Sequence, residues 1–329
     1  MLHLPKPSTE DLDEYFDSFS DKIKESVAES PVREVLKNFL TNDKLKEIIC
    51  ADVNMLLMHH DSILQNLIVD FDANEYDQYF SIRTLDENDR TNNQRDIINK
   101  YDEIFKLEEI FDYERFISGS KSRSYDLASR LNRNTCTYCN RLYTTTIVSK
   151  RNDKGRITRP YFDHWFPKSK YPGLALSYHN LIPSCSICNS GIKFSHPFSL
   201  DTHIHPYVDN ILSHRIFSYT YDELGELAVL VKATGNGKLD RTLADFKIEA
   251  VYNGHSQFEL KDLYDLRYKY TTNYIKTLLN DTFKEMNQSD HEIYRWVFGV
   301  EFDEDNFHKR PFSKFKRDII DELNESENI

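Results

Sequence analysis

Residues 161–189 read YFDHWFPKSKYPGLALSYHNLIPSCSICN and residues 134–141 read NTCTYCNR; together they decide what kind of domain sits in the middle of this chain. Two C-x-x-C pairs, Cys136/Cys139 and Cys185/Cys188, account for four of the five cysteines. The N-terminal MLHLPKPSTEDLDEYF has neither a basic start nor an apolar core, so no signal peptide is expected. The longest aliphatic run, residues 227–231, is far too short to span a bilayer. The expectation is therefore a cytoplasmic, reducing setting without a membrane. There, two C-x-x-C knuckles read as one tetrahedral four-thiolate zinc site rather than as disulfides. A redox motif would need one pair, not two. Cys50, in KEIICADVNMLLM, falls on a helical spacing of apolar residues and reads as a buried core thiol.

Charge changes sign twice along the chain. Residues 1–114 hold 12 basic and 27 acidic side chains, residues 115–200 hold 14 and 3, and residues 201–329 hold 16 and 24. The total of −12 alone argues against a nucleic-acid binder, because phosphate repels acid. The distribution reverses that inference: both knuckles lie inside the one basic block. Aromatic residues make up 13%, enough for a packed core and too many for a disordered chain. The expected organisation is an acidic helical region at 1–128, a central domain at 129–200, and an α+β region with a basic terminal helix at 201–329.

Outside the central block, Ser8-Thr9-Glu10-Asp11 predicts a capped helix start, and Ser30-Pro31 places Pro at a first helical position. Leu45, Ile48, Ile49, Met55, Leu56, Ile63, Leu64 and Leu67 repeat with roughly helical period, as do Ile97, Ile98, Tyr101, Ile104 and Phe105. His59-His60 in this stretch reads as structural. Residues 142–149 and 157–163 read as a hairpin across the turn at 151–155. Further strands are expected at 215–221, 227–232 and 246–252, a helix at 259–284, and an amphipathic helix set by Phe312, Phe315, Ile319, Ile320 and Leu323. Gly235-Asn236-Gly237-Lys238 reads as a strand-connecting turn. It lacks the spacer and hydroxyl of a phosphate loop.

In the central block the order is C-x-x-C, Asp163-His164, Asn180-Leu181, C-x-x-C followed by Asn189, then Lys193. This order resembles the HNH endonuclease family in its zinc-supported ββα-metal form, over about residues 130–200, roughly a fifth of the chain. The resemblance implies an α+β, mainly helical protein around a ββα-metal core, with the helical and α+β regions as flanks. It implies that His164 is the general base, that Asp163 and Asn189 hold a catalytic Mg2+ or Mn2+, and that Asn180 keeps the base in its working orientation. Zn2+ on the four cysteines would tie the hairpin to the catalytic helix.

The chemistry suits those residue types. Phosphodiester hydrolysis needs an activated water, neutralisation of developing charge, and help for the leaving oxygen. A near-neutral imidazole and a hard cation on oxygen ligands supply these. Lys193 comes one residue later than the family spacing, and the third motif position is Asn rather than His. Candidate phosphate contacts are Lys168 and Lys170 beside the base, Lys193, the hairpin residues Lys150, Arg151, Lys154 and Arg156, and Lys314 and Arg317 in HKRPFSKFKRD. His196, His203 and His205 cluster just after the domain and read as surface or turn residues, with a lesser case for ligands.

The expected substrate is DNA. The wider pattern, with HPY, YNGH and KRPFSKFKRD, is similar to HNH nucleases of prokaryotic antiphage defence, those associated with Septu and retron ATPase systems. This implies an ATPase or sensor partner. A homodimer would suit double-strand cleavage, since one such site cuts one strand. The competing readings are a non-catalytic zinc-dependent nucleic-acid or protein-binding module and a modification-dependent restriction enzyme.

Overall fold

The computed structural model describes residues 1–149, 155–194, 196–269 and 289–325. It is an α+β fold, mainly helical, with small two-stranded antiparallel ribbons. The N-terminal part is a succession of helices: α1 (Thr9–Asp17), α2 (Ser20–Glu29), α3 (Glu34–Phe39), α4 (Asn42–Ile49), α5 (Val53–Leu67), α6 (Ala73–Arg83), α7 (Asn92–Tyr101), α8 (Lys106–Ile110) and α9 (Lys121–Leu131). Local chemistry starts and stops them. Ser8 and Asp11 close a reciprocal capping box on α1, and Thr91 with Gln94 does the same for α7. Asn132 adopts the left-handed conformation that ends α9, at φ 45°. The Ser30-Pro31 step is instead part of the turn between α2 and α3, with Arg33 at the N-cap of α3.

After α9 come β1 (Ile147–Val148), β2 (Arg156–Thr158), β3 (Tyr161–His164) and β4 (Leu181–Ser184). The expected single hairpin is divided. Residues 142–144 fold back on the first knuckle, with the Cys136 N–H donating to the Leu142 carbonyl at 3.0 Å, while β1 pairs only with β2. The strand bearing Asp163-His164 pairs with β4, whose Leu181 faces His164 and whose Ile182 faces Asp163. A seven-residue wide helical segment, Ile187–Lys193, follows the second knuckle and lies against β3.

The C-terminal part contains β5 (Phe217–Tyr221) and β6 (Leu227–Val231), as expected, then α10 (Gly237–Asp245), α11 (Ile248–Asn253), α12 (Lys261–Lys269), α13 (Asp290–Phe298) and α14 (Ser313–Glu325). Residues 246–252, read above as a strand, lie in α11 and the turn before it. Tyr252 buries its ring against Phe217, Phe312 and Phe315 there, so tertiary packing overrides the β-rich local composition. The Gly235–Lys238 turn leads into α10, and Asn236 accepts the first free N–H groups of that helix. The helical pattern is present through 269; residues 270–284 lie outside the described residues.

Two apolar cores run across the expected boundaries at 128 and 200. The first joins Phe16, Phe19, Ile63, Tyr101 and Phe116 of the helical region to Phe162, Leu176 and Leu181. The second gathers the four cysteines, Trp165, Phe198, Phe246 and Phe315, with Met1 and Leu4 of the N-terminus. The β3–β4 ribbon lies between them. Because strand side chains alternate faces, Phe162 and His164 turn toward the first core and Asp163 toward the second. Among the described residues no helix is long and apolar enough to cross a membrane.

Candidate functional site

The four knuckle cysteines converge. Cys136, Cys139, Cys185 and Cys188 are all buried, none is in a disulfide, and their sulfur atoms lie within 4.8 Å of one another. Tetrahedral zinc–thiolate geometry requires sulfurs about 3.8 Å apart, which this cluster can reach by small rotations. Each knuckle turns a backbone N–H toward sulfur: Arg141 N–H to Cys139 at 3.5 Å and Cys188 N–H to Cys185 at 3.4 Å. Such donors stabilise thiolates, so the donor set fits zinc. Cys50 is only half-buried, with its thiol 3.5 Å from the Leu12 carbonyl.

Asp163 sits on the cysteine side of the ribbon and is 2% exposed. Its carboxylate accepts from the Tyr138 hydroxyl at 2.5 Å, and Tyr138 is one of the two residues between the first two cysteines. The Lys193 ammonium lies 3.1 Å from the same carboxylate and donates to the His164 carbonyl at 2.7 Å. Burial pushes the Asp163 carboxyl up and the Lys193 ammonium down, while each opposes the shift in the other. The extra residue before Lys193 is absorbed by the wide helical turn, where the Phe194 N–H reaches back five residues to the Asn189 carbonyl at 2.9 Å. Lys193 thereby becomes an internal counter-ion rather than a surface contact for phosphate.

His164, on the opposite face, is half-buried. Its ring packs edge-on against Tyr113, with centroids 4.5 Å apart, and Nε2 lies 3.0 Å from the Ala175 carbonyl. A carbonyl only accepts, so Nε2 carries the proton and Nδ1 the free lone pair. Nδ1 has no hydrogen-bond partner among the described residues and is not among the buried unpartnered atoms. Burial, with smaller contributions from Lys168 and Lys193, lowers the His164 pKa to about 3. The imidazole is thus neutral, in its proton-accepting form, throughout the physiological range.

Asn180 is fully buried and clamps the loop between the two strands. Its Oδ1 accepts from the Phe166 N–H at 2.7 Å, and its Nδ2 donates to the Phe166 and Leu174 carbonyls at 3.1 Å. Leu174 precedes Ala175, so the amide orients His164 through the turn that supplies its carbonyl partner. Asn189 is half-buried on the wide helical segment, and its side chain makes no hydrogen bond among the described residues.

The expected phosphate contacts separate into groups. Lys168 and Arg156 are exposed, Lys168 over the Tyr113 ring at 5.7 Å and Arg156 over Tyr125 at 5.8 Å. Lys170 is paired with Asp77 at 2.8 Å. Lys314 is 3% exposed and bonded to Asp318 at 2.7 Å, which removes it from any phosphate-binding face; Arg317 is paired with Asp321 at 2.8 Å. Lys150, Arg151 and Lys154 lie outside the described residues.

Sequence reasoning did not anticipate Tyr138, Tyr113 or the Ala175 carbonyl as partners of the pair. The signal for Tyr138 was its position inside the knuckle; Tyr113 and Ala175 carried none. Nor did it anticipate a cavity of about 440 Å³ whose lining includes Tyr113 and Ala175, the two residues that contact His164, together with Lys168, Glu108, Asp112 and Glu114. The acidic helical region thus lends carboxylates to the edge of the basic block.

No protein-family description matches this chain, and no solved structure matches it. Over 58 residues it is 40% identical to the Septu protein PtuB of Bacillus thuringiensis, a stretch covering 17% of this chain and 22% of that protein. The chain therefore spans only about a fifth of the length of the curated relative it matches.

Proposed function

We propose that this protein is an HNH-type endonuclease that hydrolyses DNA phosphodiester bonds, leaving 5′-phosphate and 3′-hydroxyl ends, as an effector of prokaryotic antiphage defence. The observation that carries this reading is the setting of His164: a neutral imidazole at a strand end, its Nε2–H held by the Ala175 carbonyl and its Nδ1 free to take a proton. The short likeness to a Septu protein supports the defence role; an ATPase or sensor partner is part of the same proposal.

In the proposed reaction His164 Nδ1 accepts the proton of the attacking water as the water oxygen bonds to phosphorus; the P–O3′ bond breaks and the leaving 3′ oxygen takes its proton from solvent. The imidazolium that forms is steadied by the Ala175 carbonyl, which Asn180 holds in place through Leu174. A bound phosphate anion raises the His164 pKa from its depressed value, so the base strengthens as substrate arrives. Lys168, exposed over Tyr113, is placed to meet that phosphate. Zinc on the cysteines would hold β3 and the helical segment in register.

Mg2+ or Mn2+ at Asp163 and Asn189 does not fit the present arrangement, because the Asp163 carboxylate is buried and already taken by Tyr138 and Lys193. No step is routed through such an ion. That same observation favours the second reading, a zinc-dependent binding module without catalysis.

Nicking of supercoiled plasmid separates the two, assayed with EDTA, Mg2+ or Mn2+ and with or without a co-expressed partner ATPase. His164→Ala should lower cleavage about 10²–10⁴-fold with zinc content and melting unchanged. Wild-type protein inactive under every condition, or a His164→Ala variant as active as wild type, would overturn the nuclease reading.

A further inference from the structure

We infer that His196, His203 and Asp245 form a second metal site, for a zinc-class divalent cation, separate from the cysteine cluster. Their ligand atoms, one from each residue, lie within 4.8 Å of one another, although Asp245 is more than forty positions from the histidines. His203 is 1% exposed and held on all sides. Phe198 stacks on its ring at 4.0 Å and 10°, and Nδ1 lies 2.8 Å from the Thr202 hydroxyl, itself 2.8 Å from the Ser199 hydroxyl. Nε2 is left facing Asp245 Oδ2 at 2.8 Å. The hydroxyl on Nδ1 is a second-layer partner of the kind that orients metal-binding imidazoles, and it leaves Nε2 as the nitrogen that faces the proposed site.

Of the remaining two groups, Asp245 is bonded to His203 and loosely paired with Arg241, and His196 stands without a side-chain hydrogen bond among the described residues. His196 is exposed, its ring centroid 6.3 Å from that of His203, and its side chain has no hydrogen bond among the described residues. Asp245 is the last residue of α10, where a carboxylate opposes the helix dipole, and its cationic neighbour Arg241 reaches only 3.8 Å. A cation between the three would relieve that opposition. Two imidazoles and a carboxylate suit zinc better than a hard ion such as magnesium, and three protein ligands leave a fourth position open to water. Such an ion would anchor the segment that follows Lys193 to α10, because His196 N–H already bonds the Lys193 carbonyl at 2.8 Å.

Zinc counting by elemental analysis on the full chain, after equilibration with zinc and desalting, tests this. Wild type should retain about two ions per chain, while His196→Ala and Asp245→Asn should each retain about one. Cobalt substitution should show the thiolate charge-transfer band of the cysteine site undiminished in both variants. These residues are more exposed than His203, so both variants should fold; matching circular dichroism spectra check that. Wild type holding one ion, or variants holding as many as wild type, would overturn the inference and leave His203–Asp245 as a hydrogen-bonded pair only.

Discussion

Cys136, Cys139, Cys185 and Cys188 bring four sulfurs to one point with little besides one another and two backbone N–H groups as partners. Asp163, within the same basic block and bonded to a residue of the first knuckle, meets a hydroxyl and an ammonium instead. Both centres are buried, and burial penalises every charge they hold. In the first, no Lys or Arg side chain is hydrogen-bonded to the sulfurs among the described residues, which makes a metal the natural occupant. In the second the chain supplies Lys193, so the carboxylate is balanced without an ion. Residue type alone does not make a metal site; what matters is whether the fold leaves the ligands unpaired.

The largest test of this contrast is on the sulfur side. Cys139→Ser with Cys185→Ser, or prolonged chelation, should remove zinc binding worth about 10 kcal/mol or more in small zinc domains. Because the cysteines belong to the second core, cooperative melting should be lost well beyond residues 129–200. An unchanged melting curve after verified zinc loss would break the comparison.

Next in size is the ion pair. Lys193→Met leaves a buried carboxylate unpaired and should cost about 3–5 kcal/mol in urea titration. The Asp163→Asn, Lys193→Met double variant should cost clearly less than the sum of the two single variants. Strict additivity would mean that Lys193 does not balance Asp163.

The third effect is in pH, where it is spread over the acid range. His164 is lowered to about 3 in the fold against 6.5 in a free chain. Between those values the unfolded chain takes up the proton and the folded one does not. Stability is therefore lost as pH falls through that window and is unaffected by His164 above it. The kcat/KM profile should show no inflection near 6.5, and acid loss should instead track zinc release as thiolates protonate. A histidine-like inflection with zinc retained would place His164 in a more open setting.

Much of this was legible in the chain. The knuckle spacing, the capped start at Ser8 and the alternation that turns Asp163 and His164 to opposite faces all depend on residues a few positions apart. The pairing of β3 with β4 was not legible, because the partner lies beyond a sixteen-residue loop and 142–149 offered an equally β-branched candidate. The terminal basic segment looked like a phosphate-binding face. Its charges are spent on Asp318 and Asp321 one helical turn away, and on Glu259, a long-range partner. Local i, i+4 pairing was readable there, but the burial of Lys314 was not.

The sequence by itself determined the two cysteine knuckles, the helical class of the N-terminal region and the placement of an Asp-His pair at a strand end, since spacing and period are properties of neighbours along the chain. Only the tertiary structure decided that Lys193 turns inward to Asp163, that Tyr113 packs against the His164 ring, and that Asp245 meets His203. Those outcomes depend on which distant surfaces pack together, and the two cores that straddle the β3–β4 ribbon settle them.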